Sequence, residues 1–211
     1  MRHIIAYFWM ILILLTSLPA IAQENVEAKD LLDRTASLLK KGGIEASFTM
    51  TPYRQGIPEA PVRGHICIDG EKFRMEMPDM ITWFDGRTQW TYLTANEEVN
   101  ISNPTREELQ NINPLWLISL YEHGYHCMIG KTTSSTNEVT LTAEDPEQLI
   151  THVILTIDKQ NGMPTVIKLK EKGRDYTVIN IGNLKQGQKW EKKFFVFDTK
   201  QYPDAELIDL R

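Results

Sequence analysis

The side chains best suited to chemistry in this chain are its five histidines and two cysteines. His123 and His126 stand three apart, a spacing from which one helix face can offer two ligands to a metal ion. Gly124 lies between them and is expected to end the helix, which removes the common face. No nearby cluster adds the further ligands that zinc requires, so both are read as surface histidines. His65 and His152 have no evident partner in sequence. Cys67 and Cys127 can pair in an oxidising compartment, and a bridge closing about 60 residues would contribute a few kcal/mol. Each also lies in an apolar strand segment, where buried cysteine thiols are common, so both readings stand. The phosphate-cradling P-loop, the Gly-x-Ser-x-Gly elbow, His-Glu-x-x-His and Cys-x-x-Cys are all missing from the sequence. That lowers the expectation of an enzyme, and no cofactor is implied.

The elements that would position any site are legible from hydrophobic period. Glu24 to Lys41 reads as an amphipathic helix, with Val26, Leu31, Leu32, Thr35, Leu38 and Leu39 on one face. Gly42-Gly43 follows as a left-handed stop. The period then changes to two, with Ile44, Ala46, Phe48 and Met50 alternating with polar residues. Further strands are expected at 64–68, 72–77, 80–84, 89–93 and 97–102, divided by hairpin-type turns such as Asp69-Gly70 and Asp85-Gly86. Asn103-Pro104 and Asn113-Pro114 look like helix starts, the second opening the apolar run Leu115–Tyr121. Strands resume at 125–129, 138–143, 151–158, 164–171, 175–181 and 194–197, with 130–137 as a polar loop. The expected fold is a single antiparallel β domain with one helix before it and a helical insert near its centre.

Length and charge narrow the function classes. A formal charge of −5 over 211 residues argues against a nucleic-acid partner, which needs a dense basic surface. Residues 1–22 combine a basic start, a short apolar run and an Ala20-Ile21-Ala22 ending, the pattern of an export signal cleaved before Gln23. Pro19 and the small residues interrupt the run before the ~20 apolar residues of a membrane span. Processing would leave 189 residues, 23–211, and the loss of Arg2 would take the charge to −6.

Several apolar rows have a shape that suits a cavity. In the insert, Leu115, Trp116, Leu117, Ile118 and Leu120 surround the helix, which therefore needs apolar surroundings on more than one side. Phe73, Met75 and Met77 share one strand face, with Arg74 and Glu76 on the other. Ile81 with Trp83, Trp90 with Tyr92, and Val99 with Ile101 alternate similarly. Methionines and large aromatics can repack around variable apolar shapes, although the same alternation builds an ordinary sheet core.

At this point the ordered set of segments resembles the LolA-type periplasmic lipoprotein carriers. The resemblance starts with the N-terminal helix and Ala46-Ser47-Phe48-Thr49. It runs through Gly64, Lys72-Phe73, the hairpin Asp85-Gly86-Arg87-Thr88-Gln89-Trp90-Thr91-Tyr92 and the apolar start Asn113-Pro114-Leu115-Trp116. It ends on Phe195-Val196-Phe197 and Tyr202-Pro203-Asp204-Ala205. The resemblance implies an incompletely closed antiparallel β-barrel covered by the N-terminal helix and a central helical lid. It also implies an apolar cavity that takes the acyl chains of lipoprotein cargo. By that analogy Phe48, Met50, Phe73, Met75, Met77, Trp83, Trp90, Trp116 and Leu120 line the cavity, and Leu38 and Leu39 lie on the covering helix.

The implied partners are an inner-membrane lipoprotein-releasing complex and an outer-membrane acceptor, met transiently by a monomer in the periplasm. One departure stands out. The family places Arg-Pro after the strand matching 64–68, and here Asp69-Gly70-Glu71-Lys72 occupies that stretch, so gating by that arginine does not carry over. Two alternatives remain. One is a lipid- or lipoprotein-sensing module that signals to a partner protein. The other is an enzyme with polar groups such as His65 or Glu76 near the cavity mouth.

Overall fold

The structure is a computed structural model that describes residues 20–105 and 120–211, with side chains from Val26 onward. Helix α1, Ala20–Lys40, opens the described chain. Ala28, Leu32, Thr35 and Leu39 are buried along it at spacings of four, three and four. Those spacings keep one narrow stripe against the sheet. Val26 and Leu38, expected on the same face, are 60% and 37% exposed, so the buried stripe is narrower than the apolar pattern suggested. Lys40 in the last turn complements the helix dipole.

Among the described residues thirteen strands follow: β1 Gly43–Arg54, β2 Ile57–Pro58, β3 Val62–Asp69, β4 Lys72–Met77, β5 Met80–Phe84, β6 Gln89–Leu93, β7 Glu98–Ser102, β8 Tyr125–Thr132, β9 Thr136–Ala143, β10 Ile150–Asp158, β11 Pro164–Glu171, β12 Tyr176–Gln188 and β13 Glu206–Asp209. They form one sheet in the order β13-β7-β6-β5-β4-β3-β1-β12-β11-β10-β9-β8, with β2 beside β1. Neighbours are antiparallel except β13, which joins β7 in parallel. Because β13 and β8 are the two ends of that order and do not pair, the sheet curls without closing. The expected mainly β, unclosed fold with an N-terminal helix is present. The central helical lid, with Trp116 and most of the 115–121 run, falls outside the described residues.

The differences from the sequence expectation have local causes. The stretch 194–197 is not a strand: Lys192–Phe195 forms a 3₁₀ turn, in which Phe194 and Phe195 pack edge to face at 5.2 Å and both meet Trp190. The expected loop at 130–137 contracts to a tight hairpin between Thr132 and Thr136, where the Thr133 hydroxyl accepts from the amides of Ser135 and Thr136. Gly43 is needed for close approach and not for handedness. A Cβ there would lie 2.2 Å from the Gln188 carbonyl oxygen and 2.5 Å from the Trp190 ring.

Most of the apolar interior is one cluster on the helix side of the sheet. It joins Ala28, Leu32 and Leu39 of α1 to Phe73, Phe84, Val139, Leu141, Val153, Leu155 and Ile167. A second, smaller cluster lies on the opposite, outer face: Trp83, Val99 and Phe197, packed with Ile81, Trp90, Tyr92, Ile101 and Tyr202. The chain between β12 and β13 folds back to form it.

Candidate functional site: the helix-side face of β1 and β3–β6

Register decides which side chains share this face. Pro78-Asp79 is a two-residue turn, so Met77 faces Met80, Met75 faces Thr82 and Phe73 faces Phe84. On the next pair, Met80 faces Leu93 and Thr82 faces Thr91. Across β1, Phe48 faces Gly64 on one side and Ile181 on the other, while Met50 faces Val62 and Ile179. Side chains alternate across a strand, so these residues form one continuous wall.

The wall grades from filled to open. Phe73 is fully buried and lies 5.4 Å from the Phe84 ring, and Phe48 and Met75 are partly buried against the same cluster. Met50, Met77 and Met80 remain half-exposed beyond it. Gly64 supplies the floor under Phe48: a Cβ there would lie 2.2 Å from the ring. At the other end, Leu120 and Tyr125 belong to the cluster, and the Tyr121 hydroxyl donates to the Asp33 carboxylate, fastening the turn after the insert to α1. Burial, then that bond, raises the Tyr121 pKa well above the ordinary phenol value. The Thr35 hydroxyl, buried in α1, donates to the Gly162 carbonyl at 3.1 Å. Leu38 leans over the same glycine from the rim of the helix.

The structure therefore places Phe48, Met50, Phe73, Met75 and Met77 on one face of the sheet, with Phe48, Phe73 and Met75 joined to Leu39 and Leu120 in one cluster. It does not bring Trp83 and Trp90 there. They face each other across β5 and β6 on the outer face, where Trp83 meets Phe197 at 5.4 Å and Tyr202 at 5.7 Å. Met80 and Leu93 take their place on the wall, and the two-residue turn at Pro78-Asp79 was the available signal for this. It pairs Met77 with Met80 and so assigns Trp83 to the face of Arg74.

The groups considered for polar chemistry lie elsewhere. His65 faces Glu76 across β3 and β4, and its Nε2 lies 3.2 Å from Glu45, all on the outer face. They do not converge at the mouth of the apolar wall. Lys185 and His65 hold the Glu45 carboxyl below its ordinary range. The cysteines do not form a disulfide. Cys127 lies on the helix side beside Leu141, and Cys67 lies on the outer face beside Arg74, so the sheet separates them. Burial pushes the Cys67 thiol up to about 11. Gly124 does stop the turn between the two histidines, with φ +83°, and His126 is exposed beside Glu144 at 3.5 Å.

An apolar, graded wall beside a helix is a surface that flexible hydrocarbon chains can fill. The family described as outer membrane lipoprotein carrier protein LolA matches residues 18–174. The chain belongs to the LolA family. No curated protein matches it in sequence. Among solved structures, an uncharacterized conserved protein from Thermus thermophilus shares the fold with a TM-score of 0.62 at 13% identity, over 87% of this chain and 99% of that one. A LolA superfamily protein from Nitrosomonas europaea is similar over 81% of this chain and 98% of that one, with a TM-score of 0.48 and 11% identity. The Pseudomonas aeruginosa MucA/MucB complex gives 0.44 and 15% over 82% and 62%. In this LolA-family chain the wall residues come from β1 and β3–β6, all inside the matched segment.

Proposed function

We propose that this protein is a periplasmic carrier that holds the acyl chains of lipoproteins and shuttles them from the inner to the outer membrane. The observation that carries this reading is the half-exposed row Met50, Met75, Met77 and Met80 with Phe48, continuous with the core on the helix side. Methionine adapts to chains of different shape, and each methylene buried contributes about 0.8 kcal/mol. The first 22 residues act as the export signal. Cargo comes from an inner-membrane lipoprotein-releasing complex and passes to an outer-membrane acceptor. Packing of covering helices over the empty wall competes with cargo, which weakens net binding and favours hand-off.

Native mass spectrometry of protein purified from its own periplasm tests the cargo, and a fluorescent acyl-lipopeptide titration tests the wall. Co-purification of an acylated protein and reversible titration are expected. Phe48→Ala should weaken binding about tenfold, the loss expected when roughly 1.5 kcal/mol of apolar contact is removed. Absence of acyl binding, with lipoprotein sorting intact after depletion, would overturn the carrier. A ligand that is retained in the presence of membranes, while affinity for a protein partner changes, would replace it with a sensor.

A further inference from the structure

The outer face carries a surface feature that the acyl wall does not use. After β12 the sequence reads Lys189-Trp190-Glu191-Lys192-Lys193-Phe194-Phe195, interleaving three lysines with three aromatics. Phe195 is fully buried and anchors the segment, with Trp190 edge-on to it at 5.8 Å. Trp190 and Phe194 stack at 5.6 Å and remain half-exposed, and the three lysines are exposed beside them. Behind the stack, the Arg74 guanidinium lies 5.0 Å from the Phe194 ring and 5.5 Å from Trp83. An open cleft of about 690 Å³ runs between Arg74, Trp83, Trp190, Phe194 and Phe197.

The charge here runs against that of the whole chain, which is −5. Arg74, Lys189 and Lys193 line the cleft against Glu191 and Asp198. Glu191 is engaged by Lys193 at 2.8 Å, which holds its carboxyl below the ordinary range. Lys189 and Lys192 are both exposed and flank Trp190 in the chain. Cations dispersed around a half-exposed aromatic stack suit a charged plane better than a small anion, which needs convergent donors.

We propose that this outer face docks the protein on an anionic phospholipid bilayer, with Trp190 and Phe194 at headgroup depth and Lys189 and Lys192 against lipid phosphates. The surface lies across the sheet from the acyl wall, so the inference stands independently of carrier activity and orients the wall away from the membrane it touches.

Co-sedimentation of the exported protein, its processed N-terminus checked by mass spectrometry, with vesicles tests this. Vesicles of 30% phosphatidylglycerol in phosphatidylcholine are compared with phosphatidylcholine alone. Binding to the anionic vesicles, absent on the neutral ones and lost in 0.5 M salt, is the expected result. Each juxtamembrane lysine contributes about fivefold, so Lys189→Gln with Lys192→Gln should weaken binding about 25-fold while the circular dichroism spectrum is unchanged. Equal binding to neutral vesicles, or an unaffected double variant, would overturn the proposal. Displacement by millimolar glycerol phosphate would also overturn it, in favour of a small-anion site. Lost vesicle binding with intact acyl-lipopeptide binding separates its failure from failure of the carrier reading.

Discussion

The two faces of β4–β6 both carry apolar side chains and put them to different uses. On the helix side, Phe73 and Phe84 are sealed into the main cluster while Met75, Met77 and Met80 grade outward to a half-open wall. On the outer side, Trp83 and Tyr92 are capped by Phe197 and Tyr202 from the chain's own C-terminal segment. Rigid aromatics packed edge to face make a closed, specific contact. Flexible methionines facing partial solvent make an adaptable one. Apolar side chains thus form a capped seam on one face and a half-open wall on the other, and what covers each face makes the difference.

The largest test of that contrast removes one ring from each face. Phe73→Ala should cost about 3–5 kcal/mol in urea unfolding and also weaken acyl binding, because it hollows the base of the wall. Phe197→Ala, at 8% exposure, should cost no more than the low end of that range and leave acyl affinity unchanged. Loss of acyl binding in Phe197→Ala alone would erase the distinction between the faces.

A smaller effect is expected from Gly64→Ala, at about 1–3 kcal/mol. The new methyl must push the Phe48 ring off its seat, so ligand affinity should change more than the modest stability loss suggests. Urea melts paired with lipopeptide titration separate the two quantities. An unchanged affinity would mean that Phe48 is not part of the binding wall.

The cysteines mark the two faces chemically. With its thiol buried and pushed up to about 11, Cys67 should stay protonated at pH 8 and alkylate slowly until the chain unfolds. Intact mass spectrometry under non-reducing conditions should show both thiols, and a mass lower by two hydrogens would mean that the sheet does not separate them.

The smallest effect is at the edge strand β13. Arg211 donates to Asp209 and holds its carboxyl near about 2, below the ordinary 3.8. A depressed carboxyl stabilises above its unfolded pKa, and that contribution is lost as pH falls through about 2. NMR titration should give a midpoint near 2, and Arg211→Ala should return it towards 3.8.

Much of the strand layout was legible because period two and turn dipeptides are local signals. β4, β5, β6 and β11 begin and end where the alternation says. The wall was half legible. Phe48, Met50, Phe73, Met75 and Met77 follow from alternation within their own strands, but alternation alone cannot say which of two apolar faces meets the helix. Trp83 and Trp90 were placed in the cavity by analogy with the family, whereas the Pro78-Asp79 turn fixes Met80 opposite Met77 and sends both tryptophans outward. The strand β13 was missed because a parallel edge pairing with β7 joins segments about 100 residues apart.

By itself, the sequence determined period, turns and an ordered set of segments sufficient to indicate the family. These depend on neighbours within a few residues, where sterics and hydrogen bonding act directly. Tertiary structure decided which apolar face opens and which is capped, why Gly43 and Gly64 are glycines, and that Cys67 and Cys127 lie on opposite sides of a sheet. Each of these depends on a backbone or ring brought close from elsewhere in the chain, a contact that local pattern does not encode.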